Sequence, residues 1–211
     1  MKIVKPSVEL LNLVSGITIC QHLEKAVRTC YKSEDLTTGD SFIVLLKKMI
    51  NSHHYSTLEH VSLTARFILS RTAMTQLTRH RIASYSCESQ RFCNYSRGKF
   101  GSEIAVIKPF NIDLNTGIGV TWKMAVEDAE GAYMGLIAAG LKAQDARSVL
   151  PGCAKTEIMV TMNPRAWMEF FEKRCTTHAQ DEIRFLAKDL LGQMKGEIPV
   201  LFDDLYGRFC E

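Results

Sequence analysis

Residues 61–70 read VSLTARFILS, and they alternate: Val61, Leu63, Ala65, Phe67 and Leu69 fall on one face, Ser62, Thr64, Arg66 and Ser70 on the other, with Ile68 the one exception. Side chains on a strand point to opposite faces with period two, so the stretch predicts a half-buried, antiparallel strand resting on a core. Downstream the period changes. A helix is expected from about Arg71 into the run Arg79-His80-Arg81, then an irregular segment containing Ser84 to Arg97, then a second strand near 102–109. Trp122, Val126, Ala129, Tyr133, Leu136, Ile137 and Leu141 form a long amphipathic stripe. TEIMVTMN (156–163) alternates again behind the Leu150-Pro151-Gly152 turn, and helices near 165–173 and 178–195 complete the chain. Upstream, Lys2 to Lys5 reads as a short strand. Cys20, Leu23, Ala26, Val27, Cys30 and Tyr31 recur at helical spacing, as do Phe42, Leu46, Met49 and Ile50 behind a capping Asp40 or Ser41.

Strands interrupted by helices at irregular spacing, without a repeated βαβ unit, predict an α+β fold: a mixed, mainly antiparallel sheet packed with several long helices. No repeat, low-complexity tract or linker divides the chain, so residues 1–211 are expected to form a single domain. The balance of 46% hydrophobic and 23% charged residues is that of a globular protein. No apolar run approaches the ~18–20 residues of a membrane span, and MKIVKPSVELL lacks the pattern of a secretory leader. A soluble, cytoplasmic protein without a membrane partner is the expectation. Seven scattered cysteines with no C-x-x-C pair favour reduced, mostly buried thiols over a disulfide framework or a zinc ribbon.

Charge is uneven. Between His60 and Ser102 lie seven basic residues (Arg66, Arg71, Arg79, Arg81, Arg91, Arg97, Lys99) and one acid, Glu88, a local net of +6 in a chain whose total is +3. Such a patch in an otherwise slightly acidic chain points to a dedicated anion site more than to a nucleic-acid coat. Its densest part is RHRIASYSCESQRF (79–92), which gathers three guanidiniums, an imidazole and several hydroxyls. Guanidiniums bind phosphate as planar two-pronged donors, and serine-rich turns add hydroxyl and N–H donors, so a phosphorylated ligand suits it; a solvated basic face is the plain alternative. Farther on, Arg147 precedes the Leu150-Pro151-Gly152 turn, Asn163 and Arg165 stand at the end of a strand, and Arg174 and His178 flank a helix junction, followed by Gln180, Glu182 and Arg184. The histidines of HHYSTLEH (53–60) lack metal-site spacing, so no metal is predicted. No G-x-S-x-G elbow, G-x-G-x-x-G or Walker A sequence occurs, so a nucleotide would be held by arginines rather than by a glycine loop.

Arg79-His80-Arg81 followed after seven residues by Ser89 resembles the RHR-x7-S signature of flavin-dependent thymidylate synthases. Gln76, S-x-x-E-H at 56–60, A-R-x-V-L-P at 146–151, T-x-N-x-R at 161–165 and R-x-x-x-H-A-Q-x-E-I-R at 174–184 resemble that family in order and spacing. The resemblance implies that family's fold and a methyltransferase and oxidoreductase in one. FAD would be the cofactor, dUMP the substrate, and 5,10-methylenetetrahydrofolate and NADPH co-substrates, giving dTMP and tetrahydrofolate. It also implies a homotetramer with active sites shared between subunits and no nucleic-acid partner. By position, the cofactor residues would be Ser56 (from a neighbouring subunit), Arg79, His80, Arg81, Cys87, Asn163, Arg165 and Glu169. The substrate residues would be Gln76, Arg79, Glu88, Ser89, Gln90, Arg91, Arg147 and Arg174.

Arg174 matches the catalytic position, where a guanidinium beside N3 and the carbonyl edge would stabilise an anionic uracil ring. Ser89 would position substrate, and Cys87 would take no part in the chemistry. The proline in Asn163-Pro164-Arg165 should fix the backbone and leave both flanking side chains free. The loop departs from the usual signature at Ser86, Cys87, Glu88, Gln90 and Phe92, and Glu169 stands where His or Asn is common. Three other readings remain: an FAD enzyme acting on a related pyrimidine nucleotide, a non-catalytic nucleic-acid-binding module using residues 66–99, and a hydrolase using His80 with a nearby Ser or Cys.

Overall fold

The computed structural model describes residues 1–11 and 14–211. The strands are β1 (Lys2–Val4), β2 (Ser7–Leu10), β3 (Leu63–Ser70), β4 (Ser84–Cys87), β5 (Ala105–Ile107) and β6 (Lys155–Met162). The helices are α1 (Gly16–Tyr31), α2 (Ser41–Asn51), α3 (Arg71–Leu77), α4 (Gly117–Ala138), α5 (Ala143–Ala146), α6 (Pro164–Arg174), α7 (Asp181–Glu197) and α8 (Pro199–Cys210). β1 pairs in parallel with β5, Ile3 opposite Val106, while the larger sheet has the order β2-β3-β6-β4. The class is the mixed α+β one expected.

The described residues group into two compact units whose boundaries fall inside β2, β3, β4 and β6 and just after α3. Unit 1 comprises Met1–Ser7, Ile68–Thr78 and Ser86–Ile158; unit 2 comprises Val8–Phe67, Arg79–Tyr85 and Met159–Glu211.

Unit 2 is built on β3 as its alternation requires: Leu63, Ala65 and Phe67 are fully buried, as is Val160 of β6. Against them α6 lays Trp167, Phe170 and Phe171. The Trp167 indole N–H donates to the Leu63 carbonyl at 3.0 Å, so its one polar atom is satisfied inside the core. Two helices approach so closely that a Cβ on Gly16 would lie 1.8 Å from the Glu197 carbonyl oxygen, which leaves glycine as the side chain that fits. In unit 1, Tyr95, Ile104, Val106, Val126, Tyr133 and Ala146 form the core under α4.

Several expectations need correction. The helix after β3 stops at Leu77, short of Arg79, with Thr78 as its C-cap. Ser84–Cys87 is a strand rather than irregular chain; it lies at a sheet edge with mostly exposed side chains, and so carries no apolar alternation. The short edge strand β2 and the last helix α8 were not anticipated; α8 starts afresh at Pro199, the first-turn position where a missing N–H costs nothing. The thiols are all free, but only Cys20 and Cys175 are buried, while Cys30 and Cys87 are exposed. Among the described residues there is no metal-binding cluster of His, Cys, Asp or Glu, and no helix is long and apolar enough to cross a membrane.

Candidate active site

In unit 2 the site grows from α6. Asn163 caps the helix, its Oδ1 accepting from the Ala166 N–H at 2.8 Å, and Pro164 supplies a preset φ at the first turn. Trp167, Phe170 and Arg174 then recur at spacings of three and four, so Arg174 shares the buried face of the helix and is itself half-buried. His80 meets it there. The His80 ring packs edge-on against Phe170 with centroids 5.0 Å apart, and its Nε2 accepts from Arg174 Nε at 3.1 Å. The backbone carbonyl of His80 accepts from the Tyr85 hydroxyl at 2.6 Å, and burial pushes that hydroxyl's pKa up to about 12.

Burial lowers the His80 pKa to about 4, with help from the positive charges of Arg174 and Lys173. The imidazole is therefore neutral at physiological pH, which keeps Nε2 an acceptor and fixes the orientation of the guanidinium. Burial and the like charge of Arg79 also lower the Arg174 pKa. Arg79 and Arg81 are exposed and make no hydrogen bond or ion pair among the described residues. Cations held near one another in this way attract an anion.

Other predicted residues of this unit are already engaged. The expectation that Asn163 and Arg165 stay free fails: Asn163 caps α6, and Arg165 Nη1 pairs with Glu59 Oε1 at 2.6 Å, both half-exposed. Arg165 and Glu169 are brought together in the wall of a cavity of about 310 Å³, with Tyr55 and Met168. Ser56 is exposed on a 3-10 turn spanning Tyr55–His60.

Unit 1 holds the remaining residues. Cys87, Glu88, Ser89, Gln90 and Arg91 follow one another at the end of β4. Ser89 O accepts from the N–H groups of Phe92 and Cys93, making a tight turn. Arg91 is exposed with its guanidinium over the Phe92 ring, and Gln90 is buried. Glu88 turns its carboxylate to Lys155 and to the Tyr95 hydroxyl. Cys87 Sγ lies 3.2 Å from Met74 Sδ and 3.7 Å from Arg71 Nη1. Gln76 sits half-buried on α3, and Arg147 is exposed on a turn with Nε donating to the Gln144 carbonyl.

Lys155 and Tyr95 escaped sequence reading, while Arg71 and Glu59 were legible only as members of the basic stretch and of the 56–60 motif. Only the pairing of opposite charges, Lys155 with the lone acid Glu88 of the basic stretch, left a trace in the sequence; Tyr95 left none.

Residues 13–200 match the family described as thymidylate synthase complementing protein. The flavin-dependent thymidylate synthase of Geobacter sulfurreducens is 38% identical over 187 residues, 85% of this chain and 78% of that protein. That of Nitratidesulfovibrio vulgaris is 39% identical over 175 residues, 79% of this chain and 69% of the relative. Among solved structures, a UMP/dUMP methylase of Streptomyces cacaoi, bound with 5-bromo-dUMP, superposes with a TM-score of 0.82 at 24% identity over 99% of this chain and 98% of its own. Thymidylate synthase X of Helicobacter pylori, solved with FAD and dUMP, gives 0.76 at 23% identity over 95% and 99%. The likeness in structure fixes the fold, and the matches in sequence fix the kinship: the chain belongs to the flavin-dependent thymidylate synthase family.

Proposed function

We propose that the protein converts dUMP to dTMP by reductive methylation, with FAD as cofactor, 5,10-methylenetetrahydrofolate as carbon donor and NADPH as reductant, leaving tetrahydrofolate. Membership of the family supports the reaction. The observation that carries its assignment to particular residues is the neutral His80 holding Arg174 beside Arg79.

The donor set fits a dinucleotide. Arg79 and Arg81 are exposed cations suited to a pyrophosphate, and Asn163, though its oxygen caps α6, keeps an amide NH2 to donate. Arg165, Ser56, Cys87 and Glu169 complete the proposed cofactor set. When bound, FAD supplies the two-electron redox chemistry that no side chain can. Arg174 would lie beside the N3 and carbonyl edge of the uracil and donate to the carbonyl oxygen, stabilising negative charge as electron density moves to C5, while His80 keeps the guanidinium aimed. Gln76, Arg79, Ser89, Gln90, Arg91 and Arg147 would hold the nucleotide, and Glu88 would contribute through its place in the loop.

The proposal includes a cytoplasmic homotetramer in which Ser56 reaches a neighbour's cofactor. Apolar side chains left in solvent on α2 (Val44, 76% exposed) and α4 (Ile118, 73%) support self-association.

The test is a product assay with FAD, methylenetetrahydrofolate and NADPH, offering dUMP, UMP and dCMP in parallel. dTMP from dUMP is expected. Methylated product from another nucleotide alone would overturn the substrate assignment.

A further inference from the structure

The loop that follows β4 is fastened at one residue from three directions. The Glu88 N–H donates to the Glu157 carbonyl at 2.8 Å, and its carbonyl accepts from Arg71 Nη1 at 3.4 Å. Its carboxylate accepts from Lys155 Nζ at 2.7 Å on one oxygen and from the Tyr95 hydroxyl at 2.9 Å on the other. Both ions are mostly out of water, at 13% and 20% side-chain exposure, so their attraction is weakly screened. Tyr95 is itself anchored: its ring packs against Tyr133 and Phe100, and its N–H donates to the Tyr133 hydroxyl at 3.2 Å. Burial, then the Glu88 charge, raise the Tyr95 pKa, so the phenol stays a donor at every physiological pH.

Packing alone does not hold the carboxylate. Glu88, Tyr95 and Lys155 line a cavity of about 310 Å³, with Lys2 and Lys99 also on its wall. Space is available for Glu88 to swing away once its partners are gone.

We infer that Lys155 and Tyr95 are positioning residues, which through Glu88 preset the 86–92 loop in the conformation that receives the nucleotide. The inference rests on the proposed function for what the loop binds. Adjacent residues then divide the work: Cys87 and Ser89 lie on either side of a residue whose side chain is turned to Tyr95 and Lys155. The acid of this loop acts as an internal tether. A preset loop raises affinity by removing an ordering cost from the binding step.

The experiment compares Lys155→Met, Glu88→Gln and Lys155→Arg with the wild-type holoenzyme, by amide hydrogen exchange over residues 86–93 without nucleotide and by dUMP affinity from calorimetry. In Lys155→Met and Glu88→Gln, loop amides should exchange ~10-fold faster, as expected when a charge-assisted hydrogen bond holding a segment is lost. Amides of α7 should be unchanged. In Lys155→Met, dUMP should bind ~10-fold more weakly and its KM rise similarly, with kcat within ~3-fold, because only the ordering cost returns to binding. Lys155→Arg should restore most of the protection. Unchanged loop exchange in both charge-removing variants overturns the inference, as does faster exchange spread over all of unit 1, which would make the pair merely structural. Wild-type protein that binds no dUMP would sink the functional reading instead, and the exchange data would still decide the tether.

Discussion

At the end of α1, Arg28 is surrounded by acceptors: Glu24 Oε1 accepts from its Nε at 2.9 Å and lies 2.8 Å from its Nη2, and the Ser33 and Leu36 carbonyls accept from Nη1 and Nη2 at 3.0 Å. Glu24, 1% exposed, also accepts from the Ser41 hydroxyl at 2.6 Å, which ties α2 to α1. At the end of α6, by contrast, Arg174 Nε donates to a neutral imidazole, and the like charge of Arg79 lies near it. Both arginines belong to unit 2 and both are withdrawn from solvent. One is held by a buried carboxylate and serves the fold; the other is oriented by a neutral ring beside a second cation, the arrangement proposed above to receive an anionic ligand. Matching and aiming separate structural from functional cations more cleanly than burial does.

The largest effect should come from the matched pair. Glu24→Ala leaves Arg28 buried and uncompensated, which should cost about 3–5 kcal/mol, a fall in Tm on the order of 10 °C for a chain this size; scanning calorimetry reads it. If the loss is negligible, the distinction between the two clusters fails at its structural end. Arg174→Ala should do the reverse, lowering kcat about 10²–10³-fold, the cost of removing one preorganised donor at developing charge, while Tm holds within a few degrees. Steady-state kinetics beside a melting curve checks both halves.

Asn163→Ala sharpens the comparison, because that residue stands at the other end of α6 and is expected to serve both roles. Loss of the cap should cost ~1 kcal/mol by denaturant unfolding. A weakened flavin affinity on top of that would show that its amide also meets the cofactor. The smallest effect is a pH dependence. Because the folded pKa of His80 lies near 4, below its ordinary value of 6.5, the unfolded chain takes up a proton that the folded one refuses as pH falls through that window. The stability His80 contributes is complete above pH 6.5 and declines toward pH 4, and the Arg174–His80 hydrogen bond goes with it. In His80→Gln the part of the Tm slope between pH 6.5 and 4 that belongs to this group should vanish.

Where one face of an element is buried, the sequence carried the fold openly. β3 and β6 show it best: Leu63, Ala65, Phe67 and Leu69, then Ile158, Val160 and Met162, sit where alternation puts them. Edge strands β2 and β4 pair through backbone groups and left little pattern to read. The premature end of α3 had a tertiary cause. Residues 79–81 could continue a helix, but the chain departs so that His80 can pack on Phe170 and accept from Arg174.

The family motifs pointed to Arg174, His80 and the loop, since those residues lie in short contiguous runs. They gave no hint of Lys155 or Tyr95, which reach Glu88 across 67 and 7 positions of sequence. Nor did they reveal that Asn163 caps a helix and that Arg165 is paired with Glu59 across 106 positions. Such pairings are set by tertiary approach, which no local pattern encodes.

Whether Arg79, Arg81 and the His80-oriented Arg174 serve a flavin and a nucleotide together is tested most directly by the visible absorption of the purified protein supplied with FAD. NADPH is added anaerobically, with and without dUMP. A bound flavin band that bleaches with NADPH, and bleaches faster when dUMP is present, is the predicted result. A protein that takes up no FAD, or a flavin whose reduction is indifferent to dUMP, would contradict the account.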